Sequence, residues 1–226
     1  MTSSSQSQLT FLAPENTSGE AELFPALWQV LEALVSADAE QRGSALEALQ
    51  ASKAVRLSGL VAYLISTRIT EPNLALRGTV LELLNEALTP DEHERMPAEE
   101  VRAALRGNLS NLGQERVLAL LEIAQYRTDV KAMIARVLNQ CSTAGEALTE
   151  ILNDRYQPLA VREQAALFIG EVGYTDAQHS IERLVNRLES RQGNQQSMAF
   201  APASANDEGA LIPVLHSILQ RFDAPA

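Results

Sequence analysis

The sequence predicts an all-α protein, a right-handed α-solenoid (α-α superhelix) of about five divergent helix pairs. The first observation behind this is a recurring two-helix phrase, which opens at Leu23-Phe24-Pro25-Ala26-Leu27, runs to Asp38, and continues through Arg42, Ala45 and Leu49. A helix pair that recurs along a chain cannot bury its apolar face alone and must stack on its neighbours. The second observation is composition. Of the 226 residues 46% are hydrophobic but only 4% are aromatic, so the core must be built from Leu, Ala, Val and Ile. Thin helix-on-helix layers suit that inventory better than a β-sandwich, and no stretch reads as predominantly strand.

The elements follow in order. Residues 1–19, rich in Ser, Thr and Gln around the short island Leu9-Thr10-Phe11-Leu12, predict a flexible N-terminal arm. Leu23, Leu27, Val30, Leu31 and Leu34 lie at helical spacing and place a first helix over 20–36; Asp38 is set to cap a second over 38–50. A second pair covers about 53–68 and 72–88, with Pro72 in a first-turn position that tolerates its missing N–H. After the acidic turn Asp91-Glu92-His93-Glu94 come helices at about 97–108 and 113–126. Shorter ones follow at 129–140 and 143–153, then 158–172 and 175–190, which closes the repeat array over 20–190. The stretch 191–207 is polar, small and aperiodic, and predicts a loop. A last helix at about 208–222, with a tail to 226, carries Leu211, Leu215, Ile218, Leu219 and Phe222 and is expected to cap the open end of the stack.

The segment Pro158-Leu-Ala-Val-Arg162-Glu-Gln-Ala165 through Gly170-Glu-Val-Gly173, followed by Asp176-Ala177, resembles the HEAT-like and armadillo-like repeats of α-solenoid proteins. The phycobilisome-lyase HEAT-like type belongs to that class. The resemblance rests on Val-Arg, Ala three positions later, Gly after an apolar run, and Asp-Ala opening the next helix. Looser copies read Asp38…Arg42…Ala45, Glu71-Pro72…Leu76-Arg77…Val80 and Glu115-Arg116…Ala119, and the intervals between their arginines are 35, 39 and 46 residues. Such drift fits a divergent array. The resemblance implies that Arg42, Arg77, Arg116 and Arg162 are structural, each pairing with an acidic residue of an adjacent turn. The competing reading makes them a row of ligands for an acidic partner.

Helical wheels divide each second helix into a core stripe and a polar stripe. On the 72–88 helix Leu76, Val80, Leu83 and Ala87 form the apolar stripe, with Gly78, Glu82 and Asn85 opposite. On the 158–172 helix Val161, Ala165, Phe168 and Val172 repeat it, with Glu163 and Gly170 opposite. In the first pair the polar stripe is Glu40, Ser44 and Glu47. If second helices line the inner curve, Glu40, Ser44, Glu47, Glu82, Asn85 and Glu163 are the candidate partner-binding residues, and an acidic groove centred on Glu47 and Glu82 would receive a protein or peptide with a basic or polar surface.

Charge points the same way. The net charge of −11 is uneven: residues 1–101 hold 6 basic and 15 acidic side chains, 102–191 hold 11 and 11, and 192–226 hold 1 and 3. A field of that sign repels phosphate backbones and anionic lipid, which argues against nucleic acid and membrane partners for the first half. The opening residues lack a basic and an apolar signal region and no apolar run is long enough for a span, so the expected location is cytoplasmic. The sequence does not specify an oligomeric state.

A search for chemistry finds little. His93 with Asp91, Glu92, Glu94, Glu99 and Glu100 is the densest polar cluster, but it lacks the alternating ligands and central Gly of a calcium loop. His179 and His216 have no triad partner in the sequence, and the one cysteine, Cys141, reads as a small buried hydrophobe. No phosphate loop, paired-Cys zinc spacing or nucleophile elbow is present. Trp28 reads as core beside Leu27, Leu31 and Phe24, and Met198-Ala-Phe200 as two bulky groups that fold back on the array or present a short binding element. The expected function is therefore a noncatalytic protein–protein interaction module, a scaffold or adaptor, with no cofactor and no metal. The resemblance to lyase repeats carries an alternative, a lyase or chaperone acting on a tetrapyrrole or its acceptor protein. A HEAT-type DNA glycosylase would need a basic cleft and an aromatic cradle, which the composition does not offer.

Overall fold

The computed structural model describes residues 20–196 and 208–223. These residues form twelve α-helices joined by short 3-10 turns, with no strand among them. The chain divides into two compact units, Met1–Ala54 and Val55–Ala226.

In the first unit α1 (Glu20–Leu34) packs on α2 (Ala39–Ser52). Asp38 caps α2 as expected, its carboxylate accepting from the Glu40 amide at 3.0 Å, and the helix ends where Lys53 enters the left-handed region at φ 51°. Leu31 and Leu34 of α1 and Ala45, Leu46 and Leu49 of α2 form the buried seam.

In the second unit the expected 53–68 helix is broken into α3 (Ala54–Leu57), α4 (Gly59–Thr67) and a 3-10 turn over Arg68–Thr70. Ser58 interrupts it by capping α4, its hydroxyl taking the Val61 amide. The fifth helix, α5 (Leu74–Leu88), begins later than the sequence suggests. Asn73 caps it through the amides of Ala75 and Leu76, which leaves Pro72 outside the helix rather than in its first turn. An Asn side chain accepts the orphan amides of a first turn, and that outcompetes an earlier start at Pro.

Then come α6 (Glu99–Leu109), α7 (Gln114–Tyr126), α8 (Lys131–Leu138), α9 (Ala144–Asn153) and α10 (Leu159–Val172). A Gly173 in the left-handed region, φ 70°, stops α10, as helix-terminating glycines do. After a 3-10 turn, α11 (Gln178–Gln196) runs six residues into the stretch expected to be loop. The polar run 191–196 contains no proline and extends an existing helix, so weak periodicity does not stop it. The rest of that stretch, 197–207, lies outside the described residues together with Met198 and Phe200, as does the arm 1–19. The final helix, α12 (Ile212–Asp223), packs on both α10 and α11, with Leu215 and Ile218 buried.

Packing partners in this unit are not only sequence neighbours. Helices α9 and α10 lie together, while α4 packs on α6, α5 on α8 and α7 on α10. The core is aliphatic throughout: Val80, Leu81, Leu83 and Leu84 of α5, Leu120 and Ile123 of α7, and Ala165, Phe168 and Ile169 of α10 are all buried.

Candidate functional site

The four arginines near the starts of second helices occupy different surroundings. Arg42, Arg77 and Arg162 are buried and Arg116 is half-buried. Arg42, Arg77 and Arg162 each donate to main-chain carbonyls, and Arg77 and Arg162 also pair with an acidic side chain, as the repeat resemblance implies. Arg42 Nη1 donates to the carbonyls of Ser36 and Ala37, both at 2.9 Å, just past the end of α1. Arg77 Nε donates to the Glu71 carbonyl at 2.7 Å, just past the 3-10 turn that precedes α5. Arg162 Nε donates to the Leu152 carbonyl at 2.9 Å in the last turn of α9. The last carbonyls of a helical segment lack internal partners, and a guanidinium supplies five donors to meet them. Arg77 also reaches Ala119 O and Glu122 on α7, at 2.8 and 3.0 Å, while Arg162 meets Glu208 at 2.6 Å. Among the described residues Arg116 makes only a side-chain bond, to Asn108 at 3.2 Å.

The polar stripe divides just as clearly. On α2, Glu40, Ser44 and Glu47 are exposed, and neither carboxylate has an ion-pair partner among the described residues. Between α1 and α2 runs an open groove with Val30, Ala33 and Ala45 along it and Asp38, Glu40 and Ser44 at its polar side. On α5 the equivalent positions are taken. Glu82 is ion-paired with Arg127 at 3.0 Å, and Asn85 accepts from Arg136. Gly78, expected on the open stripe, is instead buried beneath the Arg127 guanidinium. Hydrogen bonds to Asp129 and then Glu82 raise the Arg127 pKa further above its ordinary range, and the bond from Arg127 holds the Asp129 carboxyl below its own. Glu163 on α10 is half-buried. The proposed groove residues thus fall in both units, with only the α2 set open and uncommitted.

The remaining sequence candidates have local explanations. The described residues contain no group of three or more His, Cys, Asp and Glu side chains placed to hold a metal. Asp91 closes its own turn, taking the amides of His93 at 2.8 Å and Arg95 at 2.9 Å, while Glu99 is held by Arg102 and Arg106. His216 bonds Glu189 at 2.9 Å and His179 faces Glu182 at 3.7 Å, both on the surface. Cys141 is buried and its Sγ accepts the Leu112 amide at 3.2 Å, fastening the α6–α7 turn. Trp28 is not core. It is 52% exposed and donates from Nε1 to Glu32 at 2.9 Å, because 28, 32 and 35 share the face of α1 opposite to the groove while Leu31 and Leu34 supply the seam.

Sequence reasoning passed over Arg56. From the short α3 its guanidinium gathers three carbonyls, those of Glu86, Thr89 and Arg95, the last two at 2.7 Å. An arginine beside a Ser-capped break, before the end of a long helix and a polar turn, is the only trace of it in the sequence. Comparison with protein-family models, curated proteins and solved structures finds no match for this chain.

Proposed function

We propose that the protein is a noncatalytic protein–protein interaction module, and that the helices of its second unit are HEAT-like repeats of a right-handed α-solenoid. Support for the repeat reading is the shared fastening of Arg77 and Arg162, each from the first turns of a helix to the carbonyls that end the preceding one. The non-neighbour packing of α4 on α6 is also what stacked pairs produce.

The observation that carries the interaction reading is the open, unpaired carboxylate stripe of α2, Glu40 and Glu47 about Ser44, beside a groove with apolar residues. Unpaired exposed carboxylates contribute little to folding, and they give long-range attraction and register to a basic partner. The partner is a protein or peptide segment with a basic or polar surface, and α5 is not the site of contact because Arg127 and Arg136 already neutralise and cover its stripe.

The test is comparative affinity capture from the native host with the parent chain, an E40K/E47K variant and an E82K variant. The reading expects a partner retained by the parent and by E82K and lost from E40K/E47K, with binding to the parent weakening as salt rises. Equal capture by the parent and E40K/E47K would refute it.

A further inference from the structure

The groove of the first unit runs between two packed helices, with Val30 and Ala33 of α1 and Ala45 of α2 along it. Its volume of about 670 Å³ lies within the range of about 300–1,000 Å³ usual for sites that bury a ligand, so it has room for several side chains. Val30 and Ala33 are only half-buried, an apolar strip that the α1–α2 seam leaves uncovered. Beneath it the seam is thin. Among the described residues of this unit Leu31, Leu34, Ala45, Leu46 and Leu49 are the buried apolar side chains, and a third element laid along the groove would thicken that core.

The α2 side of the groove is acidic. Asp38 is committed to the cap of α2 and Gln41 accepts from Ser36, whereas Glu40 and Glu47 are exposed and have no ion-pair partner among the described residues. These two stand seven residues apart, which returns them to one face of α2 roughly 10 Å apart along its axis. A protein segment can be bound by adding a strand to a sheet edge, by seating prolines on aromatic rings, by offering phosphate to arginines, or by laying an amphipathic helix in an apolar groove. The described residues hold no strand, no aromatic side chain lines the groove, and its charged groups, Asp38 and Glu40, are acidic. The helix is the mode that remains, and the small side chains of Ala33, Ser44 and Ala45 let a third helix come close to the other two.

We propose, resting on the interaction reading of the same stripe, that the groove receives one basic amphipathic helix of a partner protein. Its apolar stripe covers Val30, Ala33 and Ala45, and two basic side chains seven residues apart face Glu40 and Glu47. Exposed ion pairs alone contribute little, so the covered apolar strip supplies the affinity while the two carboxylates set direction and register.

The test is binding of labelled peptides to the full chain, followed by fluorescence anisotropy. One peptide of about 15 residues, near the length at which an isolated helix holds together, carries leucines along one stripe and lysines seven apart on its flank. A second has the same composition shuffled so that no stripe forms, and a third has Glu in place of Lys. Expected is binding of the first about tenfold tighter than of either control, and about tenfold weaker both in A33Q, which puts a longer polar side chain on the floor, and in E40K/E47K. If the shuffled peptide binds as well as the first and E40K/E47K weakens both, the stripe attracts basic segments without selecting a helix. That result overturns the inference and leaves the interaction reading standing, whereas affinity unchanged in A33Q and in E40K/E47K overturns both. If the parent binds no peptide, self-association abolished by A33Q gives the groove to a second copy, and binding gained in F11S gives it to the segment 9–12 of the same chain. Either result overturns the inference, as does failure of the parent and of every variant to bind.

Discussion

The Arg127 guanidinium lies over Gly78, so close that a Cβ at that position would overlap its Nη1. The contact lets Arg127 reach Glu82 one turn further along α5. Replacing Gly78 by Ala gains about 1 kcal/mol of helix propensity and displaces Arg127 from an ion pair about one-third exposed, which offsets about 0.5–1 kcal/mol of that gain. Denaturant melts should therefore show G78A near the parent, but about 1 kcal/mol more stable than its reference when introduced into R127A. Equal effects in the two backgrounds would show that the two residues are not coupled.

Fastening by arginine makes a graded prediction. R77A strands the carbonyls of Glu71 and Ala119 and should cost about 3 kcal/mol, and R77K, which lacks the fork, about 2 kcal/mol. R116A, at a half-buried residue with one side-chain bond, should cost less than about 1 kcal/mol. Chemical denaturation of the three variants orders them, and an R116A effect equal to that of R77A would contradict the assignment.

Truncation at mid-stripe positions probes the core directly. Leu83 is fully buried and Phe168 is 3% exposed, so L83A and F168A should each cost about 2–5 kcal/mol. Thermal melts indistinguishable from the parent would mean the helical registers are wrong.

Asp91 makes a prediction in pH. The Arg95 amide does most to bring its pKa from 3.8 down to about 2; desolvation opposes it, and the His93 amide and the Arg95 side chain add to the lowering. A depressed carboxyl contributes stability that is fully present above about pH 3.8 and is lost as the pH falls through about 2. An NMR titration of the Asp91 carboxyl should place its midpoint near 2, and a midpoint near 3.8 would show that the turn is not closed this way.

The local features were legible where one segment contained all the information. Asp38 announced a cap, and the spacing of Leu83 and Phe168 announced burial, because both depend on residues within a turn or two. The α5 stripe was misread for the opposite reason. Glu82 and Asn85 look free on a wheel, yet their partners Arg127 and Arg136 are 45 and 51 residues away, a pairing that only the packing of later helices creates. Trp28 shows that size and apolarity do not decide burial when smaller leucines already fill the seam.

Arg42, Arg77 and Arg162 hold on to the peptide backbone, and this makes the fastening indifferent to what the accepting residue is. Ser36, Ala37, Glu71 and Leu152 have nothing in common as side chains, and any of them could be exchanged without removing the carbonyl that is gripped. At these three positions the backbone grip needs only the arginine to be kept, while the added pairs of Arg77 with Glu122 and of Arg162 with Glu208 tie particular side chains together. Helices in such a chain are free to lengthen, break or acquire new surfaces between fixed rivets.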